Sequence, residues 1–510
     1  MKYKFKLVYL FITYFIFILS GFLNVSASYS RGLIKINLDN ELKKGNLLIG
    51  LKQFLGGEKS NNNDSKYLIF KSDNSLINLQ SSNGINYKSK EFKISWEKVP
   101  LTDPIVVERY VMGPFSSFES AKKQANILQQ KGYDLTITYP NNWQIWLNNE
   151  IDLSLNNQFN LQKEIIKNKV VPILVDEYNQ YRLDGPILIT SDKSISINNI
   201  NYGKNFYISK DSYGTWTLIQ KISFDKYLEG VLPHEIGSNS PIEALKAQAV
   251  IARSWAIYNS DRFNADKFHL CITTQCQVYK PIENSYENIH KAIEETSNLI
   301  LTFENSPINA FYHASNGGVS ASSSESWQME AYPYLESNFD MLNLSDSNFR
   351  LPFKNESEIK DFIANDQINL IGKEHYLFRW ERKISSKEIE KYLIRSKLLE
   401  KDEKIIGLKV LNRGKSGRVT KLELIKSNST LSIVLVKDDI RRYLNFLPSN
   451  LFIINKLNDN FWSFQGGGFG HGVGLSQSGA IEMAKLGFNY QEILNHYYPG
   501  AELLNIKNLK

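Results

Sequence analysis

Several familiar signatures are missing from this chain. No His-Glu-x-x-His occurs in its 510 residues, so a zinc peptidase of that type has no support. There is no Walker A Lys-Ser/Thr and no G-x-G-x-x-G, which disfavours a phosphate-cradling loop. No basic arm is clustered anywhere. The formal net charge of +7 includes Lys2, Lys4 and Lys6 at the N-terminus, so the remaining excess is mild and points to no nucleic-acid partner. No repeat at solenoid or propeller spacing is evident. Beyond the first two dozen residues, no apolar run is long enough to span a membrane. Cysteine is nearly absent: Cys271 and Cys276 are the only two.

What is present begins with an export signal. Lys2, Lys4 and Lys6 precede an apolar run from Leu7 to Phe22, and Val25-Ser26-Ala27 supplies small residues for cleavage. Residues 1–27 are therefore expected to be a signal peptide, and the mature chain is placed outside the cytoplasm, in the periplasm, the wall or the medium. The length allows two or three domains. Residues 28–100 alternate short apolar runs with polar turns, among them Leu33-Ile34-Lys35-Ile36 and Tyr67-Leu68-Ile69-Phe70, and are expected to be strand-rich. In residues 104–150 a strand ends at Gly113-Pro114-Phe115. Ser116 or Ser117 then caps a helix with Ala121, Ala125 and Leu128 on one face, and Gly132 ends it before a strand at Asp134–Thr138. Residues 139–175 read as a linker and a helix. Strands resume at Ile187–Thr190 and Thr215–Ile219. The fold class expected is α+β: a mixed, strand-rich, multi-domain protein.

The most informative stretch is Tyr227 to Asn259. Glu235 lies in a Pro-His-Glu-Ile-Gly turn. Ser240-Pro241-Ile242-Glu243 then fits a capping box opening a helix over 241–259. Ile242, Leu245, Ala249, Ala252 and Ala256 form its apolar stripe. Lys246 and Arg253, seven apart, point within roughly 20° of each other on the flank of that stripe. A carboxyl in a rigid turn beside two cations suits acid/base chemistry on a charged or sugar-like substrate. Solvated surface groups would give the same spacing.

This segment resembles the N-terminal signature of the stage II sporulation protein D or amidase-enhancer family. Three further segments resemble that family in the same order. They are Cys271-Ile-Thr-Thr-Gln-Cys-Gln-Val-Tyr279; Phe311-Tyr-His-Ala-Ser-Asn-Gly-Gly318 with Trp327; and Gly468-Phe-Gly-His-Gly-Val-Gly-Leu-Ser-Gln-Ser-Gly-Ala480, closing at His496-Tyr-Tyr-Pro-Gly500. The resemblance covers about 175–505, with a variable insertion at about 338–412. It implies a protein of the peptidoglycan wall whose enzymatic relatives are lytic transglycosylases of peptide-stripped glycan strands. The alternative from a different class is a non-catalytic wall-binding protein that stimulates an N-acetylmuramoyl-L-alanine amidase. The 104–150 unit is similar to part of a SPOR module, which binds such strands.

With the resemblance in view, Glu235 is expected to be the acid/base. Leu232, Pro233 and Ile236 would raise its pKa by apolar enclosure. A lytic transglycosylase needs only one carboxyl, because the C6 hydroxyl of the sugar replaces water. Lys246, Arg253, Ser315, Asn316, His471, Ser476 and Gln477 are expected to bind substrate. The glycines around His471 suit close approach of backbone to a polysaccharide. For Cys271 and Cys276 a disulfide is expected, or else a zinc-type site completed by His269. No other cofactor is expected. The H-x-C-x4-C spacing is tight for joint ligation by His269, and His313 or His471 would be its replacements.

Overall fold

The computed structural model describes residues 28–29, 34–58, 66–148, 158–281, 286–342, 349–365, 369–427 and 431–508. The expected signal peptide lies outside the described residues. Among the described residues no helix is long and apolar enough to cross a membrane. Helices and strands alternate through several sheets, so the architecture is the mixed α+β one expected.

The chain divides into two compact units. Leu51–Thr102 and Lys167–Lys221 make one unit, while Leu38–Gly50, Asp103–Ile166 and Ile222–Lys510 make the other. The first unit is almost wholly strands. Ile77–Ser81 pairs with Ile187–Ser191, which pairs with Asn205–Lys210, all antiparallel. Leu79, Ile189 and Phe206 meet in register and are fully buried, as period-two alternation of apolar residues requires. Tyr67–Lys71 is a strand as expected. Residues 34–37 are not: they lead into the short helix Leu38–Lys43.

In the second unit, residues 110–147 form a small strand–helix–hairpin module. Ser117 caps the helix Phe118–Gln130 by accepting from Ser120 N–H at 3.2 Å. Met112, Ala125, Leu128, Leu135 and Ile145 make its core. The expected helix in 139–175 is absent among the described residues; strands Trp143–Leu147 and Asn160–Val175 stand there. Trp143 and Trp146 favour a pleated surface, and Trp143 needs a partner for its indole N–H, which it finds in Gln275 at 2.9 Å. The module docks on the rest of its unit through polar contacts. Ser117 and Ser120 donate to Asp438 at 2.6 and 3.0 Å, and Ser116 donates to Asp439.

The helix Ile242–Tyr258 is the hub of this unit. It is buried on most faces, where the sequence suggested a single stripe. Its five alanines let neighbours approach closely from several sides, among them the helices Glu287–Glu295, Gln477–Lys485 and Tyr490–Tyr497 and the strand Leu299–Phe303. The expected capping box does not form. Ser240 Oγ donates to Ile236 C=O at 2.7 Å, and Glu243 pairs with Lys246. Residues 233–237 are not a free turn either: they continue the helix Phe224–Leu232 as one π turn.

Further on, Arg379–Ser385, Phe461–Gly467 and Phe452–Asn458 form one three-stranded sheet and Ile405–Arg413, Val419–Lys426 and Ile433–Val436 another. The helix Ser386–Arg395, with a complete capping box between Ser385 and Glu388, packs with both around Trp380, Leu393, Leu422 and Phe464.

Candidate functional site

The π turn aims Glu235 into a cavity of about 880 Å³ in the second unit, well within the size range of ligand clefts. Leu232 and Ile236 are buried behind it, as expected of an enclosing apolar wall. One carboxylate oxygen of Glu235 accepts from Val278 N–H at 2.7 Å, and Tyr312 hydroxyl donates to the same carboxyl. Burial raises the pKa of Glu235, and these two hydrogen bonds offset only part of that rise. Tyr312 is itself held. Gln277 Nε2 donates to its oxygen at 3.0 Å, and Tyr227 hydroxyl donates to Gln277 Oε1 at 3.1 Å. The chain Tyr227–Gln277–Tyr312–Glu235 thus fixes the orientation of the acid from behind.

The opposite wall is aromatic and glycine-rich. Trp327 stacks on Phe311 at 4.3 Å and lies 4.7 Å from the ring of His471. His471 is neutral: burial and then the charge of Arg441 push its pKa down to about 3. Its Nδ1 accepts from Val473 N–H at 3.1 Å. The backbone here tolerates only glycine. Gly468 has φ +86°, and a Cβ on it would sit 2.7 Å from Ser315 C=O; Gly470 has φ +116°, and a Cβ there would sit 2.8 Å from His313 Cβ. The glycines therefore press the loop against residues 311–316 and set His471 in the cavity wall.

Of the other residues expected to bind substrate, none lines this cavity. Lys246 and Arg253 share a helix flank, as spacing required, but that flank faces protein. Lys246 pairs with Glu243 at 2.7 Å and Glu295 at 2.6 Å. Arg253 is 1% exposed and donates to the carbonyls of Thr296 and Leu299, both at 2.9 Å, with Asp225 at 3.6 Å. Ser315 bridges to Phe469 through backbone. Asn316 is buried, donating to Asp340 at 2.7 Å and accepting from Gly318 N–H at 2.8 Å. Ser476 caps the helix Gln477–Lys485, and Gln477 bonds Gln248 at 3.3 Å. The structure thus gives these six residues protein partners away from the Glu235 cavity.

The expected zinc-type ligand set is likewise not brought together among the described residues. His269 uses both nitrogens on backbone: Nδ1 accepts from Leu48 N–H at 3.0 Å, and Nε2 meets Leu38 C=O at 3.2 Å. Among the described residues no group of three His, Cys, Asp or Glu side chains is placed to hold a metal ion. Cys271 and Cys276 are free thiols in mutual contact, with Cys271 N–H donating to Cys276 Sγ at 3.0 Å. Burial opposes the charged form of Cys271, but hydrogen bonds from Cys276 and Thr273 outweigh it and hold its pKa at about 7.

The sequence reading missed Tyr312 and Gln277 as site residues, although both lie inside segments singled out for other members. Their proximity to Glu235 was the missing information. Replacing Tyr312 by Phe removes a donor that favours the ionised carboxyl. The pKa of Glu235 should then rise further, and the alkaline limb of the pH–rate profile should move to higher pH. An unchanged or acid-shifted limb would count against the Tyr312–Glu235 contact.

Parts of the chain are similar to known proteins. Residues 212–303 match the family model described as Stage II sporulation protein. Residues 321–474 match a second model, described as Domain of unknown function (DUF8618), which takes in the expected insertion and more. The chain is 28% identical over 346 residues to an uncharacterized protein of Brachyspira hyodysenteriae, covering 67% of this chain and 82% of that one. It is 28% identical over 297 residues to the amidase enhancer of Bacillus subtilis, covering 54% of this chain but only 40% of the relative. Identity to the stage II sporulation protein D of Bacillus subtilis is 26% over 303 residues, covering 56% and 75%. Residues 212–303 thus carry a stage II sporulation protein segment, and the chain is similar to stage II sporulation protein D and to the amidase enhancer.

Proposed function

We propose that this protein is exported to the cell wall and cleaves peptidoglycan glycan strands by lytic transglycosylation, with Glu235 as the single acid/base. The observation that carries this reading is the state of the carboxyls around the cavity. Glu119 is tied to Arg262, and Asp438 accepts two serine hydroxyls. Glu235 combines a raised pKa with hydrogen bonds from Val278 N–H and the Tyr312 hydroxyl, and Asp438, which burial raises to about 7, is the other such carboxyl in the cavity wall. Hydrolysis with two carboxyls would need Asp438 as the second, and we read Asp438 as held through its Oδ2 in docking the 110–147 module on Ser117 and Ser120. In the proposed reaction the Glu235 proton passes to the glycosidic oxygen as the C1–O bond breaks. The Glu235 carboxylate then takes the proton of the C6 hydroxyl, whose oxygen closes on C1 to give an anhydro sugar. The docked module at 110–147 supplies Ser116 and Ser117 to the rim, and we read it as the SPOR-like part that helps to hold a strand.

The second reading, a wall-binding protein that recruits or stimulates an amidase, is favoured by the amidase enhancer among its relatives. The two separate cleanly. Full-length protein incubated with peptide-stripped strands should release soluble fragments without any added amidase. Binding without release, together with faster cleavage by an added amidase, would establish the second reading instead.

A further inference from the structure

Three arginines line the Glu235 cavity, and two of them are engaged. Arg262 pairs with Glu119 and donates to Gln275 C=O at 3.0 Å and Asn259 Oδ1 at 2.7 Å. Arg442 donates to Ser116 C=O at 3.3 Å and to Asn142 Oδ1. Arg441 differs. Its Nε is buried with no acceptor, and among the described residues it forms no ion pair. Burial alone lowers its pKa, to about 10, with no carboxylate acting against that. Behind it Arg418, which is buried, spends its Nη atoms on the carbonyls of Val319 and Asn316, at 2.9 and 2.8 Å.

A second unpartnered group lies in the same wall. His313 is 5% exposed and lines the cavity, and its Nδ1–H is used on Val473 C=O at 3.1 Å. Nε2 is left as a buried acceptor with no donor. Burial, then the neighbouring His471, Arg418 and Arg441, keep this imidazole neutral. A guanidinium whose Nε is buried without an acceptor and a buried imidazole nitrogen without a donor are both costly, and both persist where a ligand completes them. The ligand that satisfies both bears an anion and a hydroxyl.

We propose that Arg441 and His313 form a subsite for a carboxylated sugar, Arg441 gripping the carboxylate with two N–H groups and His313 Nε2 accepting a ring hydroxyl. The proposal rests on the reading of this cavity as a glycan-cleaving site. On a wall strand the carboxylate is the lactyl group of a muramoyl residue. An attached peptide turns that carboxylate into a neutral amide, which cannot pair with a guanidinium. Arg441 is thereby the residue that selects stripped strands.

The test uses full-length Glu235→Gln protein, which holds strands uncut, and peptide-free tetrasaccharides with free or methylamidated lactyl groups. The free acid should bind about 10- to 100-fold more tightly than the amide. Adding Arg441→Gln should abolish that preference by weakening the acid alone, and Arg441→Lys should restore part of it. Removing a partly buried cation whose Nε has no acceptor should leave the melting temperature unchanged or higher, so loss of fold is not the expected confounder. Equal binding of acid and amide, no binding of either, or a preference that survives Arg441→Gln would overturn the proposal. In the otherwise wild-type background, strand cleavage separates the two readings. If strands are cut but Arg441→Gln keeps the acid preference in kcat/KM, only this subsite falls. If no strand is cut while the acid still binds through Arg441, only the transglycosylase reading falls.

Discussion

Replacing Glu235 by Gln should lower cleavage of stripped strands by about 10³-fold or more while leaving the fold intact. Loss of one positioned general acid/base alone is worth about 10²–10⁴-fold, and here the same carboxyl serves both half-steps. Gln is nearly isosteric, and its amide oxygen still accepts from Val278 N–H. Stability should change in a specific way with pH. Burial holds the folded pKa of Glu235 above its unfolded value, so the folded state prefers the protonated form. That preference is fully present below the unfolded pKa and is lost as pH rises through the folded one. Wild type should therefore be less stable than Glu235→Gln at neutral pH, with the gap closing in acid. Thermal melts of both proteins across that range would check it. A variant that unfolds at neutral pH would show Glu235 to be a structural residue.

The second large effect concerns stability alone. Arg253→Ala should destabilise the protein by about 3 kcal/mol, because it strands two buried carbonyls and opens a cavity beneath a helix that is the hub of its unit. Lys246→Ala should cost less than about 1 kcal/mol, since its ion pairs with Glu243 and Glu295 lie near the surface. Cleavage per folded molecule should stay within a few-fold of wild type in both. Denaturant melts combined with activity of the folded fraction make the measurement. Full stability with lost cleavage would return these two residues to the substrate.

That contrast shows what a sequence conveys and what it withholds. The spacing of Ile242, Leu245, Ala249 and Ala252 announced a helix, and Lys246 and Arg253 do share a flank of it. Which partner that flank meets depends on where the turn at Thr296–Leu299 packs, a contact more than forty residues away. Tyr312 and His313 are neighbours on a two-residue strand, Tyr312 engaging Glu235 and His313 packing 5.2 Å from the ring of His471. Both lay in a recognised segment, while the residues chosen from it, Ser315 and Asn316, turn into protein. Ser476 and Gln477 were chosen for their polarity, yet the same polarity makes Ser476 a helix cap. Arg441 lies in a stretch with no readable motif. What marks it is that, among the described residues, it forms no ion pair and its buried Nε has no acceptor.

The most direct test of the central claim is mass spectrometry of products from stripped strands digested in H₂¹⁸O. If Glu235 directs the C6 hydroxyl to C1, the new ends carry anhydro sugars, lighter than reducing ends by one water and free of ¹⁸O. New reducing ends bearing ¹⁸O would show that water is the nucleophile and contradict the account.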